Sequence, residues 1–189
     1  MTRFLFITLL LYIFSNLSAQ STTDLFDYDE RTDYSVTMAD RRQTDSLTTF
    51  EKLVFDGFDS RVPFYHYRND RNEEEHHIFL LHGLGGSKDD WVFPSMPYLQ
   101  WSRNLTALKD SLLRLGYNLI IPDAKYHGER SHELDFRPAG NLPPSISRNE
   151  MDGIHFAGMM SASVKDLRIL MDYFQSQFED PGMKFGVIR

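Results

Sequence analysis

Short apolar runs separated by turn residues dominate the chain from Phe50 to Ile188. Phe50–Phe55 and Val62–Arg68 are rich in aromatic and β-branched residues. Asp56-Gly57 follows the first of them, a pairing that predicts an antiparallel hairpin. Ile78–Leu81 is a continuous apolar run that suits a strand covered on both faces. Ser102 predicts the N-cap of a helix through Leu115, stopped by Gly116, with Leu105, Leu108, Leu112 and Leu115 facing inward. Tyr117–Ile121 reads as the next strand and Ser161–Phe178 as a second amphipathic helix, with Val164, Leu167, Leu170, Met171 and Phe174 inward. Lys184–Ile188 begins a last strand, and Pro138, Pro143 and Pro144 mark a long loop before the second helix. This order predicts a three-layer α/β domain with a mixed, mostly parallel sheet of about five strands and two main helices.

The segments before Phe50 behave differently. Arg3 precedes an apolar stretch from Phe4 to Phe14, and Ala19-Gln20 follows a run of small and polar residues. Residues 1–19 therefore read as a signal peptide, and the protein as exported, periplasmic or secreted, with no stable membrane span after cleavage. The apolar stretch is short of the about 20 residues that a spanning helix needs, so an uncleaved N-terminal anchor is the lesser alternative. Residues 20–47 are polar and acidic and read as an extension outside the core, partly helical at most.

Composition narrows the chemistry. The 189 residues contain no cysteine, which excludes a thiolate nucleophile, a disulfide framework and a Cys-ligated metal. A net charge of −7 argues against nucleic acid or an anionic membrane as partner. With 41% hydrophobic and 25% charged residues, the chain has the balance of a folded domain.

The strongest motif is His82-Gly83-Leu84-Gly85-Gly86, placed where a buried strand ends. Glycines there let backbone N–H groups approach a ligand closely. A second passage, Pro122-Asp123-Ala124-Lys125-Tyr126-His127-Gly128-Glu129-Arg130-Ser131, follows the Tyr117–Ile121 run. Together with the final Phe185-Gly186-Val187-Ile188-Arg189, these passages resemble the N-terminal half of the α/β-hydrolase superfamily over residues 48–189. The nearest flavour is the dienelactone-hydrolase and serine-aminopeptidase-like branch. The resemblance implies an oxyanion turn whose backbone donors are Gly83 and Leu84, shaped by His82, Gly85 and Gly86, and a neighbouring loop shaped by Asp123, His127 and Gly128.

No Gly-x-Ser-x-Gly occurs in the 189 residues. The resemblance therefore places the nucleophilic Ser, the Asp and the His beyond Arg189, and this chain supplies no catalytic triad residue of its own. It implies a serine hydrolase acting on a small-molecule ester or related acyl bond, with no cofactor and no metal. Two alternatives stand beside it: a peptidase on the same scaffold, and a non-catalytic fragment or pseudoenzyme acting as an interaction module that docks onto a partner chain; the open edge of the fifth strand is also a candidate surface for self-association. His82 is read as a turn-shaping residue and not as a base, because the triad His of this fold comes late in the chain. Asp123, His127 and His132 match no strong metal-ligand spacing. Trp91, Phe93, Tyr98 and Trp101 are cleft-lining candidates, with packing over the sheet an equal reading.

Overall fold

The computed structural model describes residues 24–29, 33–71, 76–93, 100–135, 151–178 and 183–189. Its strands are β1 (Val36–Asp45), β2 (Thr48–Asp56), β3 (Arg61–Asn69), β4 (His77–Leu80), β5 (Asn118–Pro122) and β6 (Phe185–Ile188). Its helices are α1 (Gln100–Arg114), a short α2 (His132–Asp135) and α3 (Met151–Gln177), and a 3₁₀ turn spans Lys88–Trp91. The signal-peptide reading of residues 1–19, the prolines of the long loop and Tyr98 lie outside the described residues. Among the described residues, no helix is long and apolar enough to cross a membrane.

One sheet carries all six strands, in the order β1-β2-β3-β5-β4-β6. The β1–β2, β2–β3 and β3–β5 pairings are antiparallel, and only β4–β5 and β4–β6 are parallel. The sheet is mixed, as expected, but antiparallel pairings outnumber the parallel ones among the described residues. Tight hairpins join the first three strands and force antiparallel neighbours, whereas α1 and α3 provide the crossovers that parallel pairing requires.

The alternation of side chains sorts the core onto two faces. Phe64, Phe79 and Ile120 pack under α3 with Ile169, Leu170 and Phe174. Their chain neighbours Tyr65, Leu80, Leu119 and Ile121 point the other way, against Trp91 and Leu112. Three layers result: α3, the sheet, and α1 with the 3₁₀ turn.

Three sequence expectations need correction. The extension holds a 3₁₀ turn at Asp24–Phe26, but its second half is a strand, Val36–Asp45, whose residues after Val36 are exposed. Backbone pairing with β2 is enough to hold such a strand, and Asp40, Arg41 and Arg42 are the kind of charged residues that protect a sheet edge. Helix α3 begins at Met151, ahead of the expected Ser161; Ser161 and Ser163 lie inside it, where Ser161 Oγ donates to the Leu25 carbonyl and Ser163 Oγ accepts from the Lys125 N–H. On α1, Leu112 is buried but Leu108 and Leu115 are exposed, 39% and 73%. The inward stripe runs instead through Leu105, Lys109, Leu112 and Leu113, with the Lys109 stem buried and its ammonium over the Tyr67 ring. Gly116 ends α1 in the left-handed region, at φ +94°.

Candidate functional site

Strand β4 runs out at Leu80, and the chain turns sharply two residues later. The Gly86 N–H donates to the Gly83 carbonyl at 3.0 Å, closing a four-residue turn. Gly85 holds φ +82°, the third-residue geometry of a type II turn, which glycine adopts without strain. A Cβ on Gly86 would lie 2.5 Å from the Asp90 carboxylate, so that position also has no room for a side chain. Asp90 is held there by the Ser87 N–H (3.0 Å), while Ser87 Oγ accepts from the Asp89 N–H (3.2 Å), a capping box on the 3₁₀ turn.

Gly83, by contrast, faces open space, with nothing within 4 Å of where a Cβ would stand. Among the described residues, no acceptor takes the backbone N–H of Gly83 or of Leu84. His82 holds the turn from below. Its Nε2 accepts from the Ala124 N–H (3.0 Å), so that nitrogen carries the lone pair and Nδ1 donates to the Gly83 carbonyl (2.9 Å). Both ring nitrogens are therefore committed to backbone groups.

The loop after β5 wraps around Asp123. Its buried carboxylate accepts from the Lys88 N–H (2.9 Å), from Lys88 Nζ (2.6 Å) and from the Glu129 N–H (3.0 Å). Gly128, at φ +54°, passes so close that a Cβ there would lie 2.3 Å from the same carboxylate. His127 donates from Nδ1 to the Lys125 carbonyl (2.8 Å), and its ring stands 5.0 Å from that of His82. Burial holds the His127 pKa below the ordinary histidine range. Asp123, His127 and Gly128 thus fold the loop around an ion pair. His132, the third residue considered for a metal, is exposed and bonds the Glu129 carbonyl. Among the described residues, no group of three or more His, Asp or Glu side chains could hold a metal ion.

Two buried cations tie these segments to the body. Lys88 Nζ reaches Asp123 and Glu129, each at 2.6 Å, and Glu129 also takes Lys52 at 2.9 Å. Burial alone would lower the Lys88 pKa; the two carboxylates outweigh it and hold the ammonium charged. Arg130 spans Glu133 (2.8 Å), Asp166 of α3 (2.9 Å) and Ser60 Oγ (2.8 Å). Its pKa is likewise lowered by burial and raised further by Asp166 and Glu133, with a net upward shift. Motif reading did not single out Lys88, Glu129, Arg130 or Asp166, since a charged residue inside a polar stretch gives no periodic signal of burial.

The network has a pH signature. Burial raises the Glu129 carboxyl, but Lys88 and Lys52 bring it below the ordinary 4.5, and the His66 hydrogen bond does the same for Glu51. Folded values below the unfolded ones mean stabilisation that is complete above pH 4.5 and lost as the pH falls through the folded values. The melting temperature is expected to drop steadily between about pH 5 and about pH 3, and less steeply in Glu51→Gln. A flat profile over that range would remove these two carboxylates from the stability of the fold.

A cavity of about 320 Å³ opens beside the turn. It lies at the carboxyl ends of β4, β5 and β6, lined by Leu81, Gly83 and Leu84 on one side and by Met159, Val164 and Leu167 of α3 on the other. Such a crevice outside the carboxyl ends of parallel strands is where open α/β sheets bind ligands. Of the aromatic candidates, Trp91 is 1% exposed and belongs to the core, and Phe93 is exposed. Neither lines the cavity.

No protein-family model and no curated protein sequence matches the chain. Solved structures do. An acetyl xylan esterase-like protein from Bacteroides fragilis superposes with a TM-score of 0.59 at 17% identity, over 87% of this chain and 43% of that one. A cold-adapted esterase from an Arctic intertidal metagenomic library gives 0.51 at 14%, over 79% and 53%. Acetyl xylan esterase 1 from Thermoanaerobacterium gives 0.50 at 13%, over 82% and 44%. The chain thus spans about half the length of the structures it matches. It has the N-terminal part of the α/β-hydrolase fold, the fold of these esterases.

Proposed function

We propose that this chain supplies the oxyanion turn of a serine hydrolase that cleaves an ester or related acyl bond. The observation that carries the reading is the pair of unengaged N–H groups at Gly83 and Leu84, on a turn held by His82 and opening on a cavity at the carboxyl ends of the parallel strands. An acyl-transfer transition state gathers negative charge on the former carbonyl oxygen, and fixed backbone donors that meet it need not reorganise. The structural likeness to esterases supports the fold on which such a site is built. The nucleophile is expected on the turn that follows β6, with Asp and His from later strands, none of them within residues 1–189. Reading the coding sequence past Arg189 tests this directly. A Gly-x-Ser-x-Gly in the next few residues, and covalent labelling of that serine by a fluorophosphonate, are the expected results. A stop codon after Arg189 would end the reading.

The competing reading is an interaction module. Its support is strand β6, which pairs with β4 on one side, has no strand on the other among the described residues and leaves Val187 54% exposed. An edge of this kind can recruit a second chain. We also propose export, on the strength of Arg3, the Phe4–Phe14 stretch and Ala19-Gln20. N-terminal sequencing of the mature protein should then begin at Gln20; a start at Met1 would contradict it.

A further inference from the structure

We infer that His82 is a positioning residue whose protonation decides whether the turn is held: a neutral ring fastens Gly83 to the loop after β5, and an imidazolium lets that loop go. The use of the turn rests on the hydrolase reading, although the fastening itself can be observed without any reaction.

Backbone chemistry fixes the state of the ring. The Ala124 amide can only donate, so the Nε2 that it meets at 3.0 Å must carry a lone pair. Nδ1 then holds the hydrogen and donates it to the Gly83 carbonyl at 2.9 Å. A further proton falls on Nε2, sets two donors against each other and ends the bond to Ala124. The Gly83 carbonyl also accepts the Gly86 N–H, so two donors orient it. It shares one trans peptide plane with the Leu84 N–H, and the two groups point in opposite directions. Holding the carbonyl toward His82 therefore aims the Leu84 donor to the other side of the turn. His82 sets that donor without touching whatever the donor meets.

The surroundings direct the proton to His82. The His127 ring, tilted 42° against it, is 3% exposed and gives its Nδ1 hydrogen to the Lys125 carbonyl. Its Nε2 has no partner among the described residues, and burial disfavours a charge on it. His82 is only half-buried, so water can deliver a proton. The neighbouring carboxylates are committed: Asp123 to Lys88, Asp166 of α3 to Arg130, Asp90 to the Ser87 N–H and Asp59 to Lys125. Arg130 and, past β6, Arg189 add positive charge on the same side. An imidazolium at this position thus stands among cations and paired carboxylates, and the clash of donors is relieved by the loop moving off.

Amide exchange and nitrogen NMR of the 189-residue chain test the inference. As the pH falls from about 7 to about 5, where histidine ordinarily takes up its proton, the His82 ring should protonate ahead of His127. The protection factor of the Ala124 N–H should fall with it by about tenfold, the upper range for one net hydrogen bond. His82→Gln offers an amide oxygen that does not titrate, and protection at Ala124 should then stay flat over the same range. A His82 ring that stays neutral down to about pH 5, Ala124 protection that ignores its protonation, or the wild-type pH dependence in His82→Gln would overturn the inference. A stop codon after Arg189 would end the hydrolase reading and leave these amide results standing. In a longer product labelled by a fluorophosphonate, the loss of labelling rate below about pH 7 should be shallower in His82→Gln. An identical profile would overturn the inference and spare the hydrolase reading.

Discussion

Replacing Lys88 by methionine should destabilise the fold by about 3–5 kcal/mol, the cost of stripping one partner from a buried ion pair. Lys88 has no exposed surface, and its ammonium and backbone N–H grip opposite oxygens of one carboxylate. Methionine keeps most of the apolar stem, so little packing is lost and the change isolates the charge. What remains is the Asp123 carboxylate, fully buried and facing only the N–H groups of residues 88 and 129. Glu129 loses its shorter cation contact as well, although Lys52 still reaches it. Urea unfolding would read the effect as a lower midpoint at unchanged slope. The double variant Lys88→Met/Asp123→Asn should recover part of the loss, because it also removes the orphaned charge. A single variant within 1 kcal/mol of the parent, on the order of an exposed ion pair, would mean that water reaches this pair.

How far the amino-acid order foretold this structure depended on whether a residue's fate is decided by its neighbours in sequence or by distant ones. The alternation Phe64-Tyr65, Phe79-Leu80 and Leu119-Ile120-Ile121 identifies strands covered on two faces, and each pair does divide between the two halves of the core. Gly116, expected to stop the helix before it, does so at positive φ, and Gly85 adopts positive φ in the turn. Strand β1 stayed hidden because its residues after Val36 face solvent and its order comes from pairing with β2. The early start of α3 stayed hidden too: Gly153 and Gly158 weaken helix propensity, and Ser161 and Ser163 resemble caps. In the site, the His82–Gly86 turn could be recognised as a backbone feature with a local pattern. The ionic scaffold beneath it could not. Nothing next to Lys88, Glu129 and Arg130 in the sequence marks them as buried, and their partners arrive from 35, 77 and 36 positions away. Burial of charge is settled by three-dimensional pairing, which no local pattern records.

Gly128→Ala should be nearly as damaging, with a loss of at least ~3 kcal/mol from the displaced ion pair and the strained backbone together. Two independent faults meet at this position. The backbone at φ +54° lies in the left-handed region, which costs alanine about 1 kcal/mol or more. The new methyl would stand 2.3 Å from Asp123 Oδ1 and 2.4 Å from both Cγ and Oδ2, well inside contact distance. The carboxylate has no free direction to move, because Lys88 and the Glu129 N–H hold it from two sides. Relief must therefore come from shifting the loop, which also carries the Ala124 N–H that His82 accepts. The disturbance reaches the Gly83–Leu84 turn through that ring, which also holds the Gly83 carbonyl. Gly158→Ala is the control: a Cβ there meets nothing within 4 Å, and its melt should match or exceed the parent's. If Gly128→Ala melts with the parent, the close approach of the loop to Asp123 is not a constraint, and the rigid link from ion pair to turn must be abandoned.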